Sequence, residues 1–433
     1  MNTNQELLAF IQSSPTAFHA VKTVRELLER NGYELLPEGT AWKLNRGGRY
    51  YVTRNGSALI AFRVPESDFS GFMIGASHSD SPTFKIKMNP ELKAEGCIRL
   101  NTERYGGMIA ASWFDRPLTC AGRVCVRTEQ GIEERLIYVD RDLFVIPSLA
   151  IHMDRNINEG HSYDYQKELL PLFRSESSKT SFMKLIAQEA GCEEADVLSY
   201  DLFLAQRTPG FIFGAENEYL CSPRLDDLQC GFGDLMGFLN AKAAASLPVF
   251  ALFDNEEVGS LTKQGAAGTF LHDVLYRILS GLEIRDDKVY PIFANSFVVS
   301  ADNAHAVHPN YPEKADPNLR PKLNGGIVIK HSGAQLYCTD AVSSAVFKEV
   351  CRRAEAPFQE FANQSNIRGG STLGNLVNGH LSLNSVDIGL PQLAMHSGFE
   401  TAGTTDTQSL IDAMTEFFSS SIHRNGDLLT IAK

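Results

Sequence analysis

Residues 248–257 read PVFALFDNEE, an apolar run that ends directly in Asp254, Asn255, Glu256 and Glu257. A short apolar run bounded by polar residues is typical of a buried β-strand. Three further runs end in the same way: His78-Ser79-Asp80 follow 71–77, Asp302, His305 and His308 follow 297–300, and His396 follows 390–395. In open α/β sheets, ligands bind in the crevice outside the carboxyl ends of the strands. We therefore expect these histidines and carboxylates to surround one crevice.

The sequence on either side of this stretch predicts an α/β fold, with a mostly parallel sheet covered by helices. Apolar runs at 248–253, 297–300, 326–329 and 390–395 alternate with helical periodicity at about 228–245, 264–281 and 340–355. This alternation is typical of a sheet that carries helices on both faces.

A different pattern separates the two ends of the chain. Residues 122–128 and 134–140 resemble paired strands around Gln130-Gly131, which indicates a β-rich stretch. A chain of 433 residues also exceeds what one hydrophobic core usually supports. We therefore expect a catalytic domain made of residues 1–90 and 221–433, interrupted by an inserted domain at 91–220.

The composition is that of an ordinary globular protein, with 43% hydrophobic and 21% charged residues. No apolar run approaches the roughly 18 residues of a membrane span. Residues 1–10 lack the basic and apolar regions of a secretory signal. The net charge of -12 disfavours nucleic acid or an anionic membrane as a partner. We therefore expect a cytoplasmic protein without a nucleic-acid or membrane partner.

The polar residues at the strand ends are of the types that bind divalent metals. Imidazole and carboxylate ligands suit zinc, and also manganese or cobalt. None of the eight cysteines forms a Cys-x-x-Cys pair, so a thiolate zinc site is not predicted. Two ions about 3.5–4 Å apart can clamp both an attacking water and a reacting carbonyl, which is the chemistry of amide hydrolysis.

Each piece of this pattern also has a simpler explanation. Asp226 or Asp227 could cap the helix predicted from Leu228. Glu256-Glu257 could be a solvated acidic loop, and a single histidine is more often a satisfied polar residue than a ligand. Independent surface residues have no reason to occur at successive strand ends, so the joint placement favours the metal site.

Five motifs resemble the aspartyl aminopeptidase family. They are GASHSDSP at 75–82, SPRLDD at 222–227, FDNEEVGS at 253–260, SADNAHAVHPN at 300–310 and MHS at 395–397. The resemblance extends over nearly the whole chain and includes IPSLAIH at 146–152. It implies a two-metal aminopeptidase that removes N-terminal residues, preferably Asp or Glu, from peptides.

The resemblance also implies roles for individual residues. Asp226 would bridge the two ions. The remaining ligands would be His78 and Asp302 at one ion, and Glu257 and His396 at the other. Glu256 would be the general base. Asp80 would orient the imidazole of His78. Lys330 and His305 would contact the substrate. The inserted domain would mediate dimers that build a dodecamer, in which His152 reaches the active site of a neighbouring subunit.

Two positions depart from the family pattern. Phe399 stands where the family usually has an arginine before the glutamate, and Asn303 replaces a usual methionine. Neither change removes a ligand, but Phe399 leaves the ion pairing beside His396, the rate and the acidic preference open.

Other functions are weighed against this one. A carboxypeptidase or an N-deacylase would use a similar two-metal site, and an inactive assembly protein would keep the fold. A serine hydrolase is disfavoured because no Gly-x-Ser-x-Gly motif occurs. Glycine-rich runs at 231–233 and 369–374 lack the full spacing of a phosphate loop.

Overall fold

The structure is a computed structural model that describes residues 2–432. In chain order its strands are β1 (Glu34–Leu35), β2 (Arg49–Arg54), β3 (Ala58–Arg63), β4 (Phe72–His78), β5 (Thr83–Ala94), β6 (Cys97–Tyr105), β7 (Leu118–Thr128), β8 (Gly131–Tyr138), β9 (Leu172–Ser175), β10 (Val197–Gln206), β11 (Phe211–Phe213), β12 (Tyr219–Ser222), β13 (Leu247–Phe253), β14 (Phe297–Ala301), β15 (Ala304–His305), β16 (Ile327–His331), β17 (Phe358–Ala362), β18 (Asn384–Gly389), β19 (Pro391–Leu393), β20 (Glu400–Gly403), β21 (Ser421–Asn425) and β22 (Leu428–Ala432).

The α-helices are α1 (Thr3–Gln12), α2 (Ala17–Arg30), α3 (Phe182–Ala190), α4 (Leu225–Asn240), α5 (Phe270–Gly281), α6 (Asp286–Ala294), α7 (Ala341–Arg353), α8 (Leu373–Val377) and α9 (Asp406–Phe418). Local sequence explains several of their ends. A capping box at Asn2 and Gln5 begins α1, and Gly191 ends α3 at a φ of 66°, which glycine adopts without strain. Within residues 2–432, no helix combines the length and the apolar character that crossing a bilayer requires.

The largest sheet has nine strands in the order β1-β2-β3-β13-β4-β14-β18-β16-β17. Its centre, β13-β4-β14-β18, is parallel, as the alternation of strands and helices predicts. The pairs β2–β3, β3–β13 and β18–β16 are antiparallel. The fold is therefore α/β as predicted, but the sheet is mixed. A strand buried on both faces is a continuous apolar run whether it pairs in parallel or antiparallel. The sequence pattern therefore does not distinguish a parallel sheet from a mixed one.

Helices cover both faces of this sheet. Successive side chains of a strand point to opposite faces of the sheet. In β13, Phe250 and Leu252 belong to one core cluster, whereas Val249 and Ala251 belong to the other. The first cluster contains residues of α4 and α9, and the second contains residues of α5. The nine-stranded sheet is thus held between two apolar layers.

Residues 83–206, which we call the β-rich segment, contain a six-stranded antiparallel sheet in the order β8-β7-β10-β5-β6-β9. Its apolar side chains form a separate core cluster in which Phe84, Trp113 and Phe182 are almost fully buried. The start of β5 lies only five residues after the end of β4, so the β-rich segment begins beside the polar residues that end β4.

A correction concerns the run at 390–395. The strand of the large sheet is β18, which ends at Gly389, and the run itself contributes β19 to a small sheet of β11-β12-β20-β19-β15. A Cβ at Gly389 would lie 1.8 Å from the carbonyl oxygen of Asp302, and Pro391 follows without a backbone donor. The chain leaves the large sheet there, so His396 follows a strand of a different sheet from the one predicted.

Candidate active site

Asp226 lies between two histidines, with one carboxylate oxygen toward each. Its Oδ1 is 3.4 Å from Nε2 of His78, and its Oδ2 is 3.5 Å from Nε2 of His396. The side chain is almost fully buried. This arrangement is the one that a carboxylate shared by two metal ions requires.

The other predicted ligands complete two overlapping groups. His78, Asp226, Asp227 and Asp302 form one group, and Asp226, Glu257 and His396 form the other, with the donor atoms of each group within 4.8 Å of one another. The five predicted ligands come from the end of β4, the start of α4, and the loops after β13, β14 and β19. The structure thus brings together residues that are up to 318 positions apart, His78 and His396 being the extremes.

The properties of these groups fit divalent cations. Oδ1 of Asp226 and Oε1 of Glu257 are buried and accept no hydrogen bond from the residues that the structure describes. Burial raises the pKa of Glu257 well above its ordinary value, and nearby Asp226 adds to that rise. Burial likewise raises the pKa of Asp302. Such a buried acidic cluster is stabilised by positive charge, and its nitrogen and oxygen donors suit zinc.

Asp227 is a member of the first group that the sequence analysis did not select. Its carboxylate is fully buried, Oδ2 accepts the backbone N–H of His78 at 3.1 Å, and Oδ1 has no hydrogen-bond partner in residues 2–432. Within residues 2–432, neither the Asp226 nor the Asp227 carboxylate accepts a backbone N–H of α4, as the side chain of a capping residue would. The helix-cap explanation therefore fails for both. Adjacency to Asp226 was the only sequence signal for Asp227.

Asp80 contacts two parts of the site, the imidazole of His78 and the loop that carries Glu256 and Glu257. Its backbone oxygen lies 3.1 Å from Nδ1 of His78, and its Oδ1 lies 3.4 Å from the same nitrogen. The carboxylate also accepts the backbone N–H groups of Glu256 at 3.1 Å and Glu257 at 3.2 Å. Asp80 therefore contacts the imidazole through its backbone oxygen and binds the loop that carries the two glutamates through its carboxylate.

The β-rich segment supplies contacts to the site that the sequence analysis missed. The hydroxyl of Tyr105 donates to Asp80 Oδ2 at 2.8 Å and accepts from Asn255 at 2.8 Å. A Cβ at Gly106, whose φ is 75°, would lie 3.1 Å from Cβ of Glu257. The N–H of Ile109 donates to the carbonyl oxygen of His396 at 3.0 Å. These contacts between distant segments become apparent only in the folded chain, since no local sequence motif predicts them.

A cavity of about 250 Å³ is lined by the candidate metal-binding groups, and we call it the metal-side cavity. Its wall contains all five predicted ligands together with Glu256, His305 and Lys330. A carboxylate oxygen of Glu256 lies within 4.8 Å of donor atoms of His78 and Glu257. Burial raises the pKa of Glu256 to about 8 in this acidic environment. Glu256 thus stands beside the metal-binding groups with a carboxylate of raised basicity.

Lys330 is more deeply buried than a strand-end lysine on the surface would be. It is 3% exposed, its Nζ donates to the carbonyl oxygen of Asn303 at 2.8 Å, and it lies 3.6 Å from Oδ1 of Asp302. Its positive charge therefore faces one of the predicted ligands as well as the cavity.

His152 lies elsewhere. It occupies an exposed turn of the β-rich segment, and it is absent from the described wall of the metal-side cavity. Within one chain, the structure does not bring His152 to the other predicted site residues.

Phe399 and its neighbours replace the ion pair expected from an arginine at that position. The ring of Phe399 lies 5.2 Å from the guanidinium carbon of Arg116, which is the geometry of a cation–π contact. Glu400 accepts the backbone N–H of His396 at 2.7 Å and that of Asp226 at 3.0 Å. The loop that carries His396 is therefore held by Glu400 without an arginine at 399.

Known proteins resemble this chain over nearly its full length. A family model described as aminopeptidase I zinc metalloprotease (M18) matches residues 10–418. A probable M18 family aminopeptidase 2 of Clostridium acetobutylicum is 45% identical over 424 residues, covering 96% of this chain and 98% of the relative. In the cryo-EM structure of the Ape4 and Nbr1 complex, the matching chain has a TM-score of 0.92 at 33% identity, covering 96% of this chain and 85% of that one. The S. cerevisiae mApe1 dodecamer gives 0.84 at 28% identity, with 96% and 95% covered.

Proposed function

Because the chain belongs to the aminopeptidase I zinc metalloprotease (M18) family, it is a zinc metalloaminopeptidase, and we propose that it uses two divalent ions to remove N-terminal residues, preferably Asp or Glu, from peptides. The observation that carries the two-ion proposal is the position of Asp226 between His78 and His396, with a separate oxygen toward each. A single ion would need Asp226 to face only one of the two histidines.

In this proposal, His78, Asp226 and Asp302 hold one ion, and Asp226, Glu257 and His396 hold the other. Asp227 lies near enough to join the first set. Bound there, zinc, or manganese or cobalt in its place, would supply Lewis acidity for the scissile carbonyl and acidify the attacking water.

Glu256 would move the proton. It would accept a proton from the attacking water and return it to the leaving amine, since its carboxylate lies in the metal-side cavity and is not needed in either set of ligands. The hydrogen bond from the Glu256 N–H to Asp80 supports this role because it fixes the backbone from which the side chain extends.

The acidic preference rests on the resemblance and on Lys330. Lys330 and His305 line the metal-side cavity, where a cation and an imidazole would meet an acidic side chain of the substrate. Lys330 already faces Asp302, so a substrate carboxylate would share that cation with the ligand.

We further propose that the active site is completed by His152 of a neighbouring subunit in a dodecamer built from dimers. The turn that carries His152 also carries large apolar side chains with high exposure, namely Leu149 at 61%, Ile151 at 47% and Met153 at 76%. Exposed apolar patches of this kind are typical of subunit interfaces. We place the inserted, dimer-forming domain at 91–220 and the enzyme in the cytoplasm as parts of the same proposal.

The deciding experiment compares p-nitroanilides of Asp, Glu, Leu and Ala, each assayed with zinc, manganese and cobalt. We expect the highest kcat/KM for Asp or Glu. N-acetyl-Asp p-nitroanilide should not be cleaved, because an aminopeptidase requires the free amine. Equal rates across the four residues would contradict the acidic preference. Release of acetate from the acetylated compound would indicate an N-deacylase, and release of p-nitroaniline from it would indicate an amidase that does not require the free amine.

A further inference from the structure

A second cavity, of about 310 Å³, adjoins the metal-side cavity, and we call it the adjoining cavity. His305, Phe361 and Gly370 line both cavities, so the two meet at these residues. Gly370 leaves the junction open, because a Cβ added there would meet no atom within 4 Å beyond its chain neighbours in the described part of the chain. A peptide whose first residue lies in the metal-side cavity therefore has a path into the adjoining cavity.

Gln392 presents an unpaired amide to the adjoining cavity. Its side chain lies in the wall and is 1% exposed, yet within residues 2–432 neither Oε1 nor Nε2 has a hydrogen-bond partner. The backbone of β19, to which Gln392 belongs, pairs with β15 and β20. A buried polar group that is left without a partner is costly. The amide offers one acceptor and a donor side by side, which match the N–H and C=O of a peptide group.

The charged side chains in the wall of the adjoining cavity are basic. Among the described residues, this wall includes Lys314 and Arg368 but no aspartate or glutamate. Both cations are exposed, and none of the ion pairs that residues 2–432 form includes either of them. An anionic group of a ligand would therefore meet only positive charge at this wall.

The volume of the adjoining cavity limits the length of peptide that it holds. A compact space of this volume is about 7 to 8 Å across, which is the length of about two extended residues. Because Lys314 and Arg368 are exposed, they lie where the cavity opens to solvent. The C-terminus of a peptide with one or two residues beyond the scissile bond would therefore lie beside these two cations.

We propose that the adjoining cavity binds the leaving part of the substrate and selects dipeptides and tripeptides by their C-terminal carboxylate. The carboxylate pairs with Lys314 and Arg368, and the amide of Gln392 bonds to the second peptide group of a tripeptide. Phe361 and Leu393 give the leaving part an apolar surface. A longer peptide places its carboxylate beyond the two cations and loses the pairing. The proposal rests on the proposed function, because it places the scissile bond at the metal-binding groups of the neighbouring cavity.

The test uses the metal-loaded full-length enzyme and pairs of peptides that differ only at the C-terminus. The pairs are X-Ala, X-Ala-Ala and X-Ala-Ala-Ala-Ala-Ala as free acids and as amides, where X is the residue whose p-nitroanilide is cleaved fastest. For the short pairs, we expect kcat/KM of the acid to exceed that of the amide about 3- to 30-fold. For the hexapeptide pair the ratio should be close to one. Added NaCl should reduce the ratio of the short pairs, because salt screens exposed charges.

Three results would count against the proposal or its premise. Equal kcat/KM of acid and amide in both short pairs would overturn it, and so would the same ratio in the hexapeptide pair. A third comparison, X-Glu-Ala-NH2 against X-Gln-Ala-NH2, tests an acidic side chain as the source of the carboxylate. A gain for the glutamate peptide as large as that for the free acid would overturn the assignment to the C-terminus. A protein that cleaves none of the p-nitroanilides would contradict the proposed function instead.

Variants of the two cations locate the pairing. Lys314→Gln combined with Arg368→Gln should bring the acid-to-amide ratio of the short pairs close to one, chiefly by raising KM of the acids. The matched control is Lys322→Gln, which removes an exposed cation outside the described wall of the adjoining cavity and should keep the ratio. An unchanged ratio in the double variant would overturn the proposal.

Gln392→Met tests the amide, since methionine has a similar length but no amide. We expect KM of X-Ala-Ala to rise about 3- to 10-fold, for acid and amide alike, because both lose the same hydrogen bonds. The acid-to-amide ratio should persist, since both cations remain. An equal loss of kcat/KM on the p-nitroanilide of X would show that Gln392 supports the structure and does not position the leaving part.

Discussion

Tyr105 donates its hydroxyl hydrogen to Oδ2 of Asp80 at 2.8 Å, and the same oxygen accepts the backbone N–H of Glu257 at 3.2 Å. Tyr105 ends β6 of the β-rich segment, whereas Glu257 is a predicted metal ligand in the loop after β13. The two parts of the molecule therefore meet at one carboxylate. The β-rich segment therefore contacts the candidate active site of its own chain, in addition to its proposed role in assembly.

The first prediction follows from this contact. Tyr105→Phe keeps the ring, which packs edge-on against Phe203, but removes the hydrogen bonds to Asp80 and Asn255. We expect metal affinity or kcat to fall about 10- to 100-fold, as is typical when a residue behind a metal ligand is lost. The measurements are zinc titration and steady-state kinetics. The matched control is Tyr200→Phe, which loses a buried hydroxyl bonded to the carbonyl oxygen of Lys87 and should leave both quantities unchanged.

A second prediction tests the bridging carboxylate. Asp226→Ala should reduce the content of both ions together, because its two oxygens face two different histidines. Metal analysis after dialysis measures the occupancy. Asp406→Asn is the control, since Asp406 is similarly buried but accepts the backbone N–H groups of Asn324 and Gly326 and belongs to neither candidate metal-binding group. Full occupancy in Asp226→Ala would show that the bridging assignment is wrong.

Glu256→Gln separates binding from chemistry. The variant keeps the backbone hydrogen bond to Asp80 but loses the carboxylate that accepts the proton. We expect both metals to be retained and kcat to fall by about 10²- to 10⁴-fold, the usual contribution of a general base. Near-normal turnover by a fully metallated variant would exclude Glu256 from this role.

Complementation between subunits tests His152. Because His152 lies on an exposed turn away from the metal-side cavity, His152→Ala should retain metal yet lose about 10²- to 10³-fold in turnover if its imidazole stabilises the oxyanion in a neighbouring subunit. Dissociating and reassembling this variant together with Glu256→Gln should restore part of the activity. If verified mixed oligomers stay inactive, the active site is not shared between subunits.

The last prediction concerns stability at mild acidity. His19 is buried, its Nδ1 is 2.8 Å from the hydroxyl oxygen of Thr16, and its pKa is lowered to about 4 from an unfolded value of 6.5. Below pH 6.5 the unfolded chain therefore binds a proton that the folded chain does not, and stability decreases as the pH falls from 6.5 to 4. The full effect is about 3 kcal/mol. Thermal unfolding from pH 7 to 4 should show a smaller loss for His19→Gln than for the wild type, and parallel curves would contradict this.

The sequence identifies most members of the two candidate metal-binding groups because these residues follow buried apolar runs, a pattern that is local. His78 ends β4, and Glu257 and Asp302 follow β13 and β14 closely. The positions of Tyr105 and Glu400 could not be predicted in this way, since each depends on two distant segments approaching in the folded chain. The sequence also cannot show that the chain bends away from the large sheet at Gly389, because an apolar run reads the same in either sheet.

The order of strands in the large sheet has a consequence for synthesis on the ribosome. β13 lies between β3 and β4, although it follows both of them in the chain by more than 160 residues. At about 5–20 residues per second, the ribosome needs roughly 8 to 40 seconds to reach β13 after it has made β3 and β4. During that interval β3 and β4 are close in sequence and free to pair with each other, which would close the gap that β13 must enter. We therefore expect chaperones that mask strand edges to raise the yield of the nascent enzyme.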